Sequence, residues 1–502
     1  MSAHSFRKLN NIHNLLEVEL NKKSGTLEIA QLIADLNNSL HSGRYFNLSL
    51  ELFLSKLTGN ENENLFKSKS ILYIATELYP TGGHTRYFEN LLDHFLDFSN
   101  DLIITNQSKD EIPKRITDLL NVKINSINSE IKSLSSTEKI RRINKIAANY
   151  EYIVLNIHPT DIITIAALSN LVNCKIIFIN HADHKFWVGN SIIDACINIR
   201  PYAAKVSKER RAIKNNVILP IPVKEFKTQK DIARSSLGIS DNQIVILTVS
   251  SLYKIIPNNT HNFFKTIYKI VELVPSAIFY LIGVNESSDL KKLGYVKHPR
   301  IKLLGEIEDP SLYQSATDIY IEGFPYNSFT ACLETVKLGA IPVLHYAPMS
   351  PMFNMETEPA FNGKLFHSDS EENYLTLIKS ITSNLKKYQE KNISIVQSIN
   401  YYNGGDYWKE NIAKCFNTSK QNKSFDIKKE FSDSADDIEL HNIVQEKNII
   451  DKSGNLMQEV FFKYKDKLSL KLKINIIFNS YPFQYGKYRA LRFIKFVFTF
   501  LT

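Results

Sequence analysis

Residues 318–339, DIYIEGFPYNSFTACLETVKLG, read as a strand, a short loop and a helix. The run DIYIEGF is rich in β-formers, the Phe324-Pro325-Tyr326-Asn327 stretch breaks it, and Ser328 or Thr330 is placed to start the helix. The same alternation surrounds this stretch. QIVILTVSS (243–251), SAIFYLIGV (276–284), RIKLLGE (300–306) and GAIPVLHY (339–346) are further strand candidates, and THNFFKTIYKIVELV (260–274) carries helical spacing. Strands alternating with helices predict a parallel sheet covered on both faces.

Upstream the alternation appears once more. SILYIATEL (70–78), NDLIIT (100–105), YIVLNI (152–157) and CKIIFIN (174–180) are strand candidates separated by helix-like sequence. The expected fold class is therefore α/β, with two Rossmann-like domains facing a cleft. We expect residues 69–215 as the first domain and 216–420 as the second, with a linker around 212–227. Residues 1–68 read as a helical extension, because HNLLEVEL and IAQLIADLNNSL repeat their apolar positions at helical spacing. Residues 421–460 read as a polar connector. From 461 to 502 there are nine Lys or Arg residues and one acidic residue, Asp466, interleaved with aromatic and aliphatic side chains. That tail suits an amphipathic element on an anionic membrane surface; the alternative is a helix docked on the protein itself.

Composition narrows the function classes. At 502 residues, with 43% hydrophobic and 11% aromatic content, the chain supports two large cored domains. A net charge of +9 spread through the chain, without a central basic stripe, argues against a nucleic-acid partner. The four cysteines are widely separated, as in a reducing compartment. The N-terminus has no apolar signal segment and no run is long enough to span a bilayer, so a cytoplasmic or peripheral location is expected.

Ligands of open α/β sheets sit beyond the carboxyl ends of the strands. Lys254 lies just after QIVILTVSS, in SSLYKIIP, and can neutralise a diphosphate as it leaves. In the second loop, Asn327, Ser328 and Thr330 stand at the start of a helix, where backbone N–H groups bind phosphate. Glu334, one turn on, can accept hydrogen bonds from a ribose.

SSLYKIIPNNTHNFFKTIYKIVELVPSAIFYLIG (250–283) resembles the donor-domain opening of the O-GlcNAc transferase family, and FPYNSFTACLETVKLG (324–339) resembles its loop-helix element. Both are also similar to the bacterial cytoplasmic protein-glucosylating enzymes, and the resemblance implies the GT-B arrangement of the two domains. The resemblance implies that Lys254 contacts the diphosphate, Thr330 a phosphate and Glu334 the ribose, with inversion at the anomeric carbon. The chain departs from the family pattern at Glu334, where Asp is usual, at Ala331, where a second Thr is common, and at Ser251, where Gln is frequent.

The acceptor side is expected in the first domain. Gly82 and Gly83, in TELYPTGGHTR (76–86), allow close backbone approach to the donor, and His84 follows at the helix start. INHADHKFWVGNSIIDACINIR (179–200) places His181, Asp183 and His184 after a buried strand. One of them could deprotonate an acceptor hydroxyl, while Phe186 or Trp187 could stack on a sugar; a local hydrogen-bond cluster is the alternative. Arg200, Lys208, Arg210 and Arg211 could steer an anion or form a solvated face.

The expected function is transfer of a sugar, hexosyl or N-acetylhexosaminyl, from a nucleotide-sugar such as a UDP-sugar. The acceptor is a glycan, lipid-linked or free, in bacterial surface polysaccharide (lipopolysaccharide or capsule) synthesis at the inner face of the cytoplasmic membrane. No cofactor or metal is expected beyond the nucleotide-sugar substrate. The alternatives are a cytoplasmic protein glycosyltransferase and a non-catalytic nucleotide- or carbohydrate-binding module.

Overall fold

A computed structural model of the chain describes residues 3–22, 25–59, 67–79, 83–95, 97–223, 228–347, 355, 358–366, 368–418, 431, 432, 434, 456–480, 497 and 500, with the backbone alone at 3–8, 84, 456–458, 479 and 480. Most of the expected connector at 421–460 lies outside the described residues. The chain forms two compact units, residues 1–218 with 411–502, and residues 219–410. The boundary expected at 215/216 thus falls at 218/219, and the chain returns to the first unit at Asn411.

In the first unit, strands β1 (Lys67–Ala75), β2 (Ser99–Ile104), β3 (Ser126–Asn128), β4 (Tyr150–Asn156), β5 (Lys175–Asn180), β6 (Ala195–Asn198) and β7 (Asn216–Ile218) form one sheet. Its order is β3-β2-β1-β4-β5-β6-β7, every pair parallel. Six consecutive residues of β1, Ser70–Ala75, are buried, because helices cover both faces; that is why these strands read as unbroken apolar runs. The helix Ser136–Ala147 shows how the covering layer is specified. Ser135 and Glu138 form a capping box, and Ile140, Ile143, Asn144 and Ala147 make a buried stripe at helical spacing.

The helical extension belongs to this unit rather than standing apart. Leu9, Ile12 and Leu16, with Leu32, Ile33 and Leu36, share one core with Leu72, Leu155 and Phe178 of the sheet. Glu51 ties the extension to a loop after β5. Its buried carboxylate accepts from the Gly189, Asn190 and Ser191 backbone N–H groups at 2.7, 3.1 and 3.3 Å. The described part of the tail joins the same core. Phe461, Tyr464, Leu472 and Ile476 are buried, and Tyr464 Oη donates to Asp35 at 2.6 Å. Docking on the protein therefore accounts for one face of this tail.

The second unit contains β8 (Ile244–Val249), β9 (Ala277–Ile282), β10 (Ile301–Gly305), β11 (Ile319–Ile321) and β12 (Ile341–Val343), all parallel, in the order β10-β9-β8-β11-β12. The crossover helix Phe263–Leu273 starts at Asn262, whose side chain accepts from Lys265 N–H, and buries Phe263, Phe264, Ile267, Ile270 and Val271. The later helices close on the beginning of the unit: Trp408 Nε1 donates to the Pro220 carbonyl at 2.9 Å. In each sheet the strand order reverses once, between β1 and β4 and between β8 and β11. Those reversals open crevices at the carboxyl ends of the strands, where ligands of such sheets bind.

Candidate functional site

At the β8/β11 reversal two loops meet. After β8 the chain makes a short 3-10 turn, Leu252–Lys254; after β11 it runs through Glu322–Phe329 into the helix Thr330–Lys337. The Lys254 carbonyl accepts from Tyr326 N–H at 3.1 Å, joining the loops. Two glycines allow this proximity. A Cβ on Gly283, which has φ +96°, would lie 2.5 Å from the Ser250 carbonyl oxygen, and one on Gly323 would lie 2.9 Å from Ser250 Oγ.

Glu322, which the sequence alone does not single out, organises the second loop. It is fully buried; Oε1 accepts from Gly323 N–H at 2.9 Å and Ser328 N–H at 2.7 Å, and Oε2 has no hydrogen-bond partner. Burial pushes its carboxyl up to about 7, against the opposing pull of the Ser328 N–H and the Lys254 ammonium. Phe329 follows in a left-handed conformation at φ +45°, a strained backbone for a bulky residue. It leaves the N-terminus of the next helix without a side-chain cap.

The expected donor residues gather at that end. Thr330 is its first residue. The side-chain nitrogen and oxygen of Asn327 and Ser328 Oγ are buried and make no hydrogen bond. Buried polar atoms without partners are costly, so a cluster of them at a helix N-terminus is suited to a polar, anionic group. Lys254 and Glu334 are half-buried, and Glu334 Oε2 accepts from Gln314 Nε2 at 3.2 Å. Behind the loop, Phe324 packs against Phe263, His261 and Tyr346, with centroids 5.1, 5.7 and 5.7 Å away. His345, at the end of β12, is buried among them; burial and the neighbouring His261 push its imidazole down to about 3. The sequence signal for this aromatic wall is only its position, Phe324, His345 and Tyr346 after strands and His261 and Phe263 at a helix start.

In the first unit, Gly83 begins the helix Gly83–Leu92. Gly82 and the His84 side chain lie outside the described residues. Asp183 is buried, with Oδ1 3.2 Å from His184 Nδ1 and Oδ2 accepting from Arg200 Nε at 2.6 Å. Burial alone would raise the Asp183 carboxyl, but Arg200 and His184 outweigh it and hold it far below the usual range. His181 and His184 are half-buried. Phe186 and Trp187 are core residues instead of a sugar platform. Trp187 stacks on Phe178 at 4.3 Å and lies under the buried Arg211 guanidinium at 4.4 Å. Arg210 is engaged as well, donating to the Gly43 carbonyl at 2.9 Å.

The β1/β4 reversal carries a second group that sequence reasoning misses. Glu77 and Tyr79 follow β1 and His158 follows β4. Tyr79 Oη donates to Glu77, and His158 Nε2 lies 3.4 Å from Tyr79 Oη and 4.0 Å from Glu77 Oε2. Burial, then the hydrogen bond to Glu77, pushes the Tyr79 phenol up to about 12. β5 adjoins β4, so His158 and the His181–His184 segment leave neighbouring strand ends at one edge of the sheet.

No family model matches the chain, and no curated protein matches it. Solved structures do. The Anabaena protein HepE in complex with UDP and glucose matches with a TM-score of 0.51 at 14% identity, over 69% of this chain and 99% of that one. A mutant O-GlcNAc transferase from Thermobaculum terrenum gives 0.49 at 12% identity, over 88% of this chain and 83% of that one. A glycosyltransferase from Rickettsia africae gives 0.48 at 14% identity, over 66% and 95%. The likeness to HepE establishes the fold: the two Rossmann-like units are those of the GT-B architecture.

Proposed function

We propose that this chain is a glycosyltransferase that transfers a sugar from a nucleotide-sugar, a UDP-sugar, to a glycan acceptor in bacterial surface polysaccharide synthesis. The observation that carries the reading is the uncapped N-terminus of the Thr330–Lys337 helix. Buried, unpartnered Asn327 and Ser328 atoms stand beside it, and the Lys254 loop is bonded to the same segment. HepE, which shares the fold, was crystallised with UDP and with UDP-glucose.

In this reading the helix N-terminus and Thr330 hold the phosphates. Lys254 neutralises the charge that grows on the diphosphate as the glycosidic bond to the sugar breaks. Glu334 takes the ribose hydroxyls, its carboxylate steadied by Gln314. The acceptor hydroxyl loses its proton to His184. An Nδ1–H directed at Asp183 Oδ1 leaves Nε2 of that ring as the free base. Asp183 itself, ion-paired with Arg200, orients the ring and is too weak a base to take the proton. Gly82 and Gly83 are assigned to the donor, and His84 and His181 to the acceptor.

A thermal-shift screen of nucleotides and nucleotide-sugars tests the proposal. A donor at 100 times its dissociation constant adds about 2.7 kcal/mol to stability. A shift with UDP-sugars that Lys254→Ala removes supports the reading. Absence of a shift with every nucleotide-sugar would refute it.

A further inference from the structure

The helix Leu470–Ser480 has two apolar faces, and only one of them is used by the core. Leu472, Ile476 and Ile477 are buried, and the helix packs on the helix Ala3–Leu20. On the opposite side Leu470, Ile474 and Phe478 are 62%, 39% and 76% exposed. Their spacing of four residues sets them in one row along the helix. Elsewhere among the described residues, exposed large apolar side chains occur singly or in pairs on an element, never as a row of three. Single exposed apolar residues are ordinary, whereas an aligned row is a surface built for contact.

The charge beside the row says what it meets. Lys467 and Lys471 are exposed next to it, and Asp466 is the single acidic residue against nine basic ones from 461 to 502. A second copy of the chain paired through this same patch would set one lysine-bearing face against another. A neutral apolar partner would leave them unmatched. No helix among the described residues is long and apolar enough to cross a membrane, so the row can enter only the interfacial layer.

We propose that the outer face of the Leu470–Ser480 helix docks the protein on an anionic lipid surface. Leu470, Ile474 and Phe478 enter the headgroup–acyl boundary, and Lys467 and Lys471 lie among the lipid phosphates. The docked inner face turns the helix into a rigid platform. This inference is independent of the sugar-transfer reading and needs no donor or acceptor to test.

Deleting the tail is the wrong experiment, because it would also strip Phe461, Leu472 and Ile476 from the core. Exposed point variants avoid that. The full-length protein is sedimented with vesicles of phosphatidylcholine alone and of phosphatidylcholine mixed with phosphatidylglycerol. Wild type should pellet with the anionic vesicles, remain in solution with the neutral ones, and be released by high salt. Ile474→Asp with Phe478→Asp should abolish pelleting. Lys467→Glu with Lys471→Glu should weaken it by about tenfold or more. Unchanged circular dichroism certifies each variant, and Phe478→Ser alone serves if the double variant misfolds. Wild type that ignores anionic vesicles, or apolar variants that pellet like wild type, would overturn the proposal. So would a wild-type dimer that these variants split, since the face would then be a self-interface.

Discussion

Replacing Glu322 with Gln probes the loop that shapes the donor site. The folded protein holds this carboxyl at about 7, against an ordinary value of 4.5. Between those values the folded chain keeps a proton that the unfolded chain has released, so stability falls as pH rises through that window. A tenfold change in a protonation equilibrium is worth about 1.4 kcal/mol, so the full cost, present above the upper value, is about 3 kcal/mol. Glutamine keeps an acceptor oxygen for the Gly323 and Ser328 N–H groups and carries no charge to bury. The variant should therefore gain about 3 kcal/mol over wild type near pH 8 and only about 1 kcal/mol near pH 5. Denaturant unfolding of both proteins at the two pH values measures this directly, with Trp408 as the fluorescent reporter inside the second unit. A gain that does not depend on pH, or a loss at pH 8, would show that the carboxylate is ionised and held by Lys254. Burial would then not be the dominant influence on Glu322.

Other substitutions probe the frame. Gly283→Ala adds a methyl 2.5 Å from the Ser250 carbonyl at a left-handed position; it should cost about 1–3 kcal/mol in unfolding experiments and weaken nucleotide binding in parallel. Glu51→Ala strands the buried N–H groups of Gly189 and Asn190 and the half-buried one of Ser191 and should cost about 3 kcal/mol, with faster hydrogen exchange confined to that turn and its surroundings. His184→Asn should lower sugar transfer by about 10²–10⁴ while leaving UDP affinity unchanged. An equal loss of UDP affinity would place His184 on the donor side, and undiminished transfer would move the base to His158, the other carboxylate-paired imidazole of the same sheet edge.

What the sequence disclosed followed from local physics. Strands such as Ile71–Ala75 and Val245–Leu247 are covered on both faces, so burial imprints an unbroken apolar run that needs no partner to be recognised. The strand, loop and helix at 318–339 were equally legible, and with them Lys254, Asn327, Ser328, Thr330 and Glu334 as a group near one sheet edge. Contacts between distant segments left no such mark. The apolar spacing of 461–480 is the same for a helix facing lipid and for one docked on Leu9–Leu36, and the structure shows it docked on one side and exposed on the other. Trp187 stands beside titratable residues in the sequence, yet Phe178 and Arg211, supplied by other elements, enclose it. Glu322 resembles any strand-end carboxylate until the burial around it is known. The Glu77, Tyr79 and His158 group forms only when β1 and β4 pair across intervening strands and helices.

The central claim is that the β8/β11 crevice binds the nucleotide of the donor. Calorimetric titration of UDP into wild type and Lys254→Ala tests it most directly. A charge-assisted contact to phosphate is worth about 1.5–3 kcal/mol, so the variant should bind UDP at least about tenfold more weakly, with its fold intact by circular dichroism. Equal affinity in the two proteins, or no UDP binding by wild type, would contradict the assignment.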